Sequence, residues 1–360
     1  MNPIATFKAQ TPTAFRASST LAGTLIALVA ASWVLSPSTD NYLVLAAGAT
    51  IAIMGLSILT GGSGQVSIGN AGFMAIGAFT TAIIGTHNAH FFIVGSLLAG
   101  TAAGAVSGVI IGLPATRLRG PYLAGMTLAF AFVMQPFIQS FGSLTGGSGG
   151  LYLNELTTPH WFASLVGDSD NLIAANARYQ SALAVLVAGI ALFFASNVMS
   201  SRLGRAMRLV RDDEVAAELV GVNLAKTRVL AFVISAAFAG LAGSLLTLIA
   251  ASASPSTYGL ALSIELLSLL VLGGMGSISG AIIAGLLSAY SGQLVGKINS
   301  LFGVDPYSNV GANTKGIIFG VILIVMMLAA PTGLVGLAKK VTARLRAAAD
   351  RRSARSLSHG

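Results

Sequence analysis

The chain has 360 residues, of which 54% are hydrophobic and only 9% are charged, and its formal net charge is +9. About a quarter of the residues of a soluble domain are charged, so this composition excludes an ordinary soluble protein. The sequence has no cysteine, which excludes disulfides, thiolate metal sites and cysteine nucleophiles. Because the basic residues stand beside apolar runs, we interpret them as determinants of membrane orientation and expect no nucleic-acid partner.

Apolar runs near twenty residues long recur along the chain. They predict an all-α, polytopic transmembrane helical bundle in a lipid bilayer rather than an outer-membrane barrel, whose strands would alternate with a period of two. We expect ten spans, residues 21–338, between a polar cytoplasmic leader, residues 1–20, and a basic cytoplasmic tail, residues 339–360. The spans are expected at about 21–35, 42–59, 70–84, 91–113, 121–141, 179–199, 229–251, 259–272, 280–295 and 316–337.

The distribution of charge supports this map. With both termini in the cytoplasm, all of the 20 lysines and arginines lie inside except Arg178, Lys297 and Lys315, which is a strong positive-inside bias. A cleavable signal peptide is the alternative for the first apolar run, but the long polar leader favours a retained span. The map also predicts a long external loop, residues 142–177, and a cytoplasmic loop, residues 200–228.

The cytoplasmic loop is the one long hydrophilic segment within the apolar chain. Its arginines come first, including Arg205 and Arg208, and acidic residues follow. In a short helix of about two turns, Asp212 is the expected N-cap, Asp213 and Glu214 match the positive end of the helix dipole, and Gly221 supplies a left-handed stop.

The same short helix carries small and apolar side chains. Ala216 and Ala217 would let a partner approach closely, while Val215, Leu219 and Val220 offer apolar contact. We therefore predict a docking helix. The alternative is a solvated basic loop that only sets the topology.

A glycine-rich segment, residues 61–70, separates the second and third predicted spans. Irregular backbone cannot face lipid, since each unpaired amide would cost several kcal/mol, so the segment must be buried in protein or line a water-filled cavity. Gln65, Ser67 and Asn70 thereby become candidates for a translocation path. The alternative is an ordinary turn followed by small-residue helix packing through Gly69, Gly72 and Gly77.

Three further polar residues lie inside predicted spans. Thr127 and Gln135 precede Pro136 in the fifth span, where they serve transport or satisfy one another. Glu265 is the only acidic residue within an apolar run and would cost roughly 2.5 to 3.5 kcal/mol at a membrane centre, which makes it a functional candidate. An interfacial carboxylate is the alternative. The pattern GGxGxxS occurs at residues 61–67 and again at 273–279, which indicates either an internal duplication or coincidence in a glycine-rich chain.

No catalytic or nucleotide-binding pattern is found in the sequence. A Walker A motif is absent, and we see no paired aspartates, Ser-Lys or HExxH arrangement placed for catalysis. His87 and His90 form an isolated HxxH pair that we interpret as surface residues rather than a metal site. Charge is scarce in the spans, so an ion-coupled carrier would depend on Glu265 almost alone. We therefore expect a partner protein to supply the energy.

Five stretches together resemble the LivM-type permeases of bacterial branched-chain amino-acid ABC importers. They are GGSGQVSIGNAGFMAIGAF at 61–79, ATRLRGPYLAGMTLAF at 115–130, LTGGSGGL at 144–151, SRLGRAMRLVRDDEVAAELVG at 201–221 and SIELLSLLVLGGMGSISG at 263–280.

The resemblance implies a bacterial inner-membrane permease subunit that works by alternating access and holds no cofactor itself. Its implied partners are a second, LivH-like permease, two cytoplasmic ATPase subunits that carry ATP and magnesium, and a periplasmic solute-binding protein, for which the external loop is a candidate docking surface. Residues 212–221 are similar to the family's coupling helix, although the general importer motif has Glu where this chain has Val215. A permease for urea or another small polar solute is the closest alternative, and a motor-independent facilitator channel is a rival from another class.

Overall fold

A computed structural model of the chain describes residues 37–87, 93–118, 120–154, 156–159, 162 and 172–301, together with the single positions 321, 324 and 333. The predicted leader, first span and basic tail lie outside these residues, as do His90 and nearly all of the predicted tenth span.

Helices make up nearly all of the described chain. The long ones are α1, Pro37–Ser57; α2, Asn70–His87; α3, Ile93–Ala115; α4, Pro121–Ser140; α6, Leu172–Ser200; α7, Arg202–Asp212; α9, Leu224–Ala250; α10, Leu260–Gly273; and α11, Ile278–Leu301. Two are short: α5, Gly142–Thr145, and α8, Glu214–Leu219. A π-helical turn, Ile58–Gly62, follows α1, and 3₁₀ turns occupy Gly147–Gly149 and Pro255–Tyr258.

Five stretches of helix in the described residues are long and apolar enough to cross a membrane, and three shorter helices are also apolar. The five cover Asp40–Gly62, Ile93–Ala115, Pro121–Ser140, Ile173–Ser200 and Leu224–Ala250. This confirms the all-α, polytopic membrane class. The count of ten spans and the side of the membrane on which the termini lie stay predictions.

Several helices differ in extent from the predicted spans. Helix α9 begins earlier than predicted because the side chain of Asn223 caps it, accepting the Lys226 N–H at 2.9 Å. Lys226 and Arg228 therefore belong to its first turns rather than to a loop. Helix α3 continues through Pro114 to Ala115, beyond the predicted end at about residue 113. Helix α6 begins within the predicted external loop.

Small residues bring the central helices close together. Helix α9 packs on α1, α2 and α3. A Cβ atom on Gly77 would overlap the backbone of Gly240, and one on Gly104 would overlap the Ala236 carbonyl oxygen. Small-residue packing of this kind is how membrane helices approach one another in the absence of a hydrophobic driving force. The packing predicted through Gly77 is therefore present.

Burial is uneven across the bundle. The apolar window of α1 is 89% buried, whereas those of α3 and α4 are only 33% and 28% buried. Helix α1 is thus a central helix that packs on α6, α9 and α11. Helices α3 and α4 each keep a broad apolar face exposed, with Ile110, Phe132 and Phe137 among its large side chains.

A small ribbon joins two connections at the end of the bundle away from α7 and α8. Strand β1, Leu151–Tyr152, pairs antiparallel with β2, Ser252–Ala253, and the Leu153 N–H donates to the Ala251 carbonyl at 2.8 Å. Ala251 adopts a left-handed conformation with φ of 51°, which ends α9 and turns the chain into β2. The ribbon therefore attaches the start of the predicted external loop to the α9–α10 connection.

Candidate coupling and translocation site

The arginine-rich half of the predicted cytoplasmic loop is a helix, α7, which the sequence analysis did not predict. Ser201 caps it by accepting the Gly204 N–H at 3.3 Å. Met207 and Val210 on α7 are buried, and Leu203 packs beside them against the core. Apolar residues spaced by four and three are the signal that could have predicted this helix.

The short helix α8 has a different N-cap from the predicted one. Asp212 is the last residue of α7, and its carboxylate pairs with Arg211 at 2.8 Å. Asp213 has an extended backbone, and its carboxylate accepts the N–H groups of Val215 at 2.9 Å and Ala216 at 3.1 Å. The cap is therefore Asp213 rather than Asp212, because the extended residue that separates two helices is the one able to cap the second.

The predicted C-terminal stop of α8 is present at Gly221, whose φ is +82°. Its N–H donates to the Glu218 carbonyl at 2.9 Å, and the Val222 N–H donates to the Ala217 carbonyl at 3.0 Å. These bonds satisfy carbonyls that the end of a helix would otherwise leave unpaired.

Helix α8 turns its small face inward and its apolar face outward. Ala217 is fully buried and Ala216 is half-buried. Val215, Leu219 and Val220 are 68%, 84% and 68% exposed. We refer to these three residues as the α8 apolar face. Ala217 packs against its own chain, and its role in ATPase coupling stays a prediction, as does that of Ala216.

Arg205 and Arg208 bind the end of the preceding helix. The Arg205 guanidinium donates to the Ser200 carbonyl at 3.0 Å, and the Arg208 guanidinium donates to the Met199 carbonyl at 2.8 Å. Cations at a helix C-terminus interact favourably with its dipole. These two residues thus fix the corner between α6 and α7, and their role in ATPase coupling stays a prediction.

An ion pair joins α8 to α9. Glu214, at the start of α8, pairs with Arg228, which is only 8% exposed. The Arg228 guanidinium also lies 3.4 Å from the Thr116 carbonyl beyond α3. Sequence reasoning missed Arg228 because a basic residue beside a span is also typical of an orientation signal.

A second arginine joins α7 to the glycine-rich segment. The Arg211 guanidinium donates to the Gly61 carbonyl at 2.6 Å. Gly64, whose φ is +74°, lies against the aliphatic part of the same side chain. Sequence reasoning missed this contact, since Arg211 and Gly61 are 150 positions apart in the sequence.

Most of the glycine-rich segment is buried, with Gly64 and Val66 exposed, and side chains pair with its irregular backbone. Thr127 accepts the Ile68 N–H at 3.0 Å, Ser67 accepts the Gly69 N–H at 3.3 Å, and Asn70 donates to the Ala52 carbonyl at 3.4 Å. Burial in protein is one of the two outcomes that the cost of unpaired amides in lipid requires. Ser67, Asn70 and Thr127 thus hold the segment in place, and their contact with a solute stays a prediction.

Gln65 has unused hydrogen-bonding capacity at this site. Its side chain is 6% exposed and donates to Ser63 Oγ at 2.9 Å, while its Oε1 atom has no hydrogen-bond partner among the described residues. Gln65 also lines a cavity of about 370 Å³ between the glycine-rich segment, the start of α4 and the α7–α8 junction. Both charged and apolar side chains line this cavity, including Arg211, Glu214, Arg228, Val66 and Leu123.

Gln135 and Glu265 are not among the residues that line this cavity. Gln135 is eight residues beyond Thr127 on α4, which is about 12 Å along the helix. A Cβ atom on Gly259 would lie 3.4 Å from the Gln135 Oε1 atom. Glu265 is half-buried on α10, two residues from Ser263, which accepts the Ala71 N–H at 3.1 Å. Two residues turn a helix by about 200°, so Glu265 points away from that contact.

The two GGxGxxS segments touch each other. A Cβ atom on Gly61 would overlap the Gly276 amide nitrogen, and the Gly276 N–H donates to Ser57 Oγ at 3.1 Å. We call the contact between Gly61 and Gly276 the glycine crossing. It lies at the same end of the bundle as Arg211. The contact was not predicted, and the internal duplication stays a prediction.

Within the described ranges, no three His, Asp or Glu side chains come close enough together to hold a metal ion. His90 lies outside those ranges, so the HxxH interpretation is not tested.

Fold and site together define a polytopic helical membrane protein with a structured polar segment at one end. The family profile described as the branched-chain amino acid transport system permease component matches residues 38–327. The chain therefore belongs to that permease family.

Curated relatives cover much of the chain. LivM of Escherichia coli K12 is 30% identical over 334 residues, which are 87% of this chain and 74% of the relative, and LivM of Salmonella typhimurium is 31% identical over 304 residues, 78% and 66% respectively. LivH of Salmonella typhimurium is 32% identical over 211 residues, 59% of this chain and 64% of the relative. All three are described as high-affinity branched-chain amino acid transport system permease proteins. No solved structure matches the chain.

Proposed function

We propose that this chain is the permease subunit of an ATP-driven importer that moves branched-chain amino acids across the bacterial inner membrane. The names of the LivM and LivH relatives support this solute class. In the proposed assembly, the chain works with a second, LivH-like permease, two cytoplasmic ATPase subunits that hold ATP and magnesium, and a periplasmic binding protein.

The α8 apolar face is the observation that carries the proposal. Its three side chains are 68% to 84% exposed on a polar segment outside the apolar helices. An exposed apolar cluster at a polar end of a membrane protein fits a protein contact, since water would disfavour it. The Asp213 cap, the Gly221 stop and the Glu214–Arg228 pair hold this helix in a fixed orientation before any partner binds. A preorganised helix loses little entropy on docking.

The proposed mechanism is alternating access. ATP binding draws the ATPase subunits together and displaces α8. Its ion pair with Arg228 passes the displacement to α9, which packs along α1, α2 and α3. The cavity lined by Gln65 then opens toward the cytoplasm after solute has entered from the binding protein. The exposed apolar faces of α3 and α4 offer surface for the second permease or for lipid.

The test introduces glutamine into the α8 apolar face. The double variant Val215→Gln and Leu219→Gln removes two exposed apolar contacts, so affinity for the ATPase subunits should fall roughly 30-fold if this is an interface hot spot. ATP-dependent leucine uptake by proteoliposomes with the binding protein should fall with it. Arg202→Gln on α7 is the matched control, because Arg202 is exposed and lies outside the α8 apolar face.

Two outcomes would overturn the proposal in different ways. Leucine uptake that needs no ATPase and is unchanged in the double variant would indicate a facilitator channel. Uptake that depends on the ATPase but is competed by urea, and not by isoleucine or valine, would keep the importer class and reject the amino-acid solute.

A further inference from the structure

We propose that Arg211 is a positioning residue that transmits the motion of α7 and α8 to the glycine crossing. This inference rests on the proposed function, since it assumes that an ATPase moves α8. Arg211 is the last residue but one of α7, and it lies beside the junction with α8. Its guanidinium reaches the Gly61 carbonyl at 2.6 Å.

The Gly61 carbonyl belongs to the π-helical turn that ends the first long span of the described chain. Carbonyl groups at the end of a helix lack partners within the helix and carry its negative dipole charge. The guanidinium of Arg211 satisfies the Gly61 carbonyl through a charge-assisted bond, a class about twice as strong as bonds between neutral groups. The bond joins residues 150 positions apart.

Asp212 orients the guanidinium of Arg211 for this bond. The Asp212 carboxylate accepts the Arg211 Nε–H at 2.9 Å and lies 2.8 Å from Nη2, which leaves Nη1 for Gly61. Gly64 adds a packing contact, since a Cβ atom there would lie 2.7 Å from Arg211 Cγ. Arg211 therefore holds the glycine-rich segment at two places, and movement of the α7–α8 junction must shift both or break the bond.

Gly61 passes such a shift to the second GGxGxxS segment, residues 273–279. It contacts Gly276 with no side chain between the two backbones, and Ser57 accepts the Gly276 N–H at 3.1 Å. Close-packed interiors transmit displacement because they are hard to compress. Arg211 thus links α7 to the connection between α10 and α11, whereas the Glu214–Arg228 pair links α8 to α9.

The test measures coupling rather than stability. Arg211→Gln removes the charge-assisted bond but leaves the α8 apolar face intact, so the ATPase subunits should still bind and hydrolyse ATP. In proteoliposomes of the assembled complex, leucine transported per ATP hydrolysed should fall roughly 2- to 30-fold, the range expected for residues along a coupling route. Arg202→Gln, which removes the same charge from the exposed start of α7, should leave the ratio unchanged.

A lysine variant keeps the proposal testable if Arg211→Gln does not assemble. Lysine can donate to the Gly61 carbonyl but lacks the planar fork that engages Asp212 at the same time, so Arg211→Lys should show an intermediate ratio. Hydrogen exchange of residues 58–67, compared with and without ATP and vanadate, should respond strongly in the wild-type complex and weakly in Arg211→Lys. A wild-type ratio and a wild-type exchange response in these variants would overturn the role of Arg211. Failure of the wild-type complex to bind an ATPase would overturn the proposed function instead.

Discussion

Two regions of the molecule are held together in opposite ways. One is the bundle where α9 packs on α2 and α3, and the other is the α7–α8 segment. In the bundle, glycines and alanines place backbone against backbone over long stretches, with few directed bonds between side chains. In the α7–α8 segment, individual arginines and acidic residues make directed bonds, and large apolar side chains remain exposed. The bundle therefore depends on close packing, whereas the segment depends on a few side chains whose removal should change orientation more than fold.

This difference suggests that the bundle and the α7–α8 segment have different mechanical roles. Close packing of small residues gives a rigid structure, since it leaves no space for a neighbour to relax into. A segment fixed by few bonds can be displaced as a unit. The two arginine contacts, Arg211 to Gly61 and Arg228 to Glu214, are directed bonds between the two regions, and they add to the apolar packing of Met207 and Val210 on the core.

The largest effect on stability is expected from a methyl group placed in the bundle. Gly77→Ala would force Cβ into the backbone of Gly240, and overpacking of this kind costs about 3 kcal/mol at the upper end of its usual range. Thermal unfolding in detergent should show a clear fall in the midpoint. Gly125→Ala on α4 is the matched control, because its Cβ would meet nothing within 4 Å, and it should be neutral or slightly stabilising. Equal midpoints for the two variants would contradict the packing argument.

A smaller loss of stability is expected from a substitution where the α7–α8 segment contacts the bundle. Arg228→Gln removes the Arg228 cation from Glu214 and should cost about 2 kcal/mol, less than a fully buried pair because Glu214 is 36% exposed. Limited proteolysis should cut between residues 213 and 223 faster than in the wild-type protein. Arg202→Gln, an exposed substitution, should leave both stability and proteolysis unchanged. An unchanged cleavage rate in Arg228→Gln would show that the ion pair does not fix α8.

The smallest effect is expected from the cap of α8. Asp213→Ala removes the acceptor for two N–H groups at the start of the helix, which costs about 1 kcal/mol. The effect should be local: hydrogen exchange at Val215 and Ala216 should accelerate, while the global midpoint shifts little. Asp213→Asn should keep most of the protection, because asparagine caps as well as aspartate does. Equal acceleration in Asp212→Ala would contradict the assignment of the cap to Asp213.

Hydropathy was sufficient to locate most of the described helices. The predicted spans from the second to the ninth each coincide with an observed helix, because apolar runs of this length are stable in lipid only when their backbone is paired within the segment. Their ends were less predictable. The end of α3 passes through a proline, and the start of α9 depends on an asparagine cap that lies among charged residues.

The candidate site was predictable only in part. The glycine stop at Gly221 follows from one residue type, since few other residues adopt a positive φ. The position of the cap could not be chosen between two adjacent aspartates without knowing that α7 precedes it. The glycine crossing and the bond from Arg211 to Gly61 join residues far apart in sequence, and no local pattern reports such a contact. For the same reason, the sequence could not predict that Gln65 lines the cavity and that Gln135 and Glu265 do not.

Helix α9 has a further consequence for how the two ends of the molecule can move. Its 27 residues form a rod about 40 Å long, with Arg228 near one end and the β-ribbon directly after the other. Its close contacts with α2 and α3 run from Ala236 through Gly240 to Gly243 and Ser244, all within the interior of the helix. A rod that tilts, together with the helices packed against it, about a point within its length moves its ends in opposite directions. A shift of α8 toward the bundle axis would therefore move the β-ribbon away from that axis. A single tilt would narrow the bundle at one end and widen it at the opposite end.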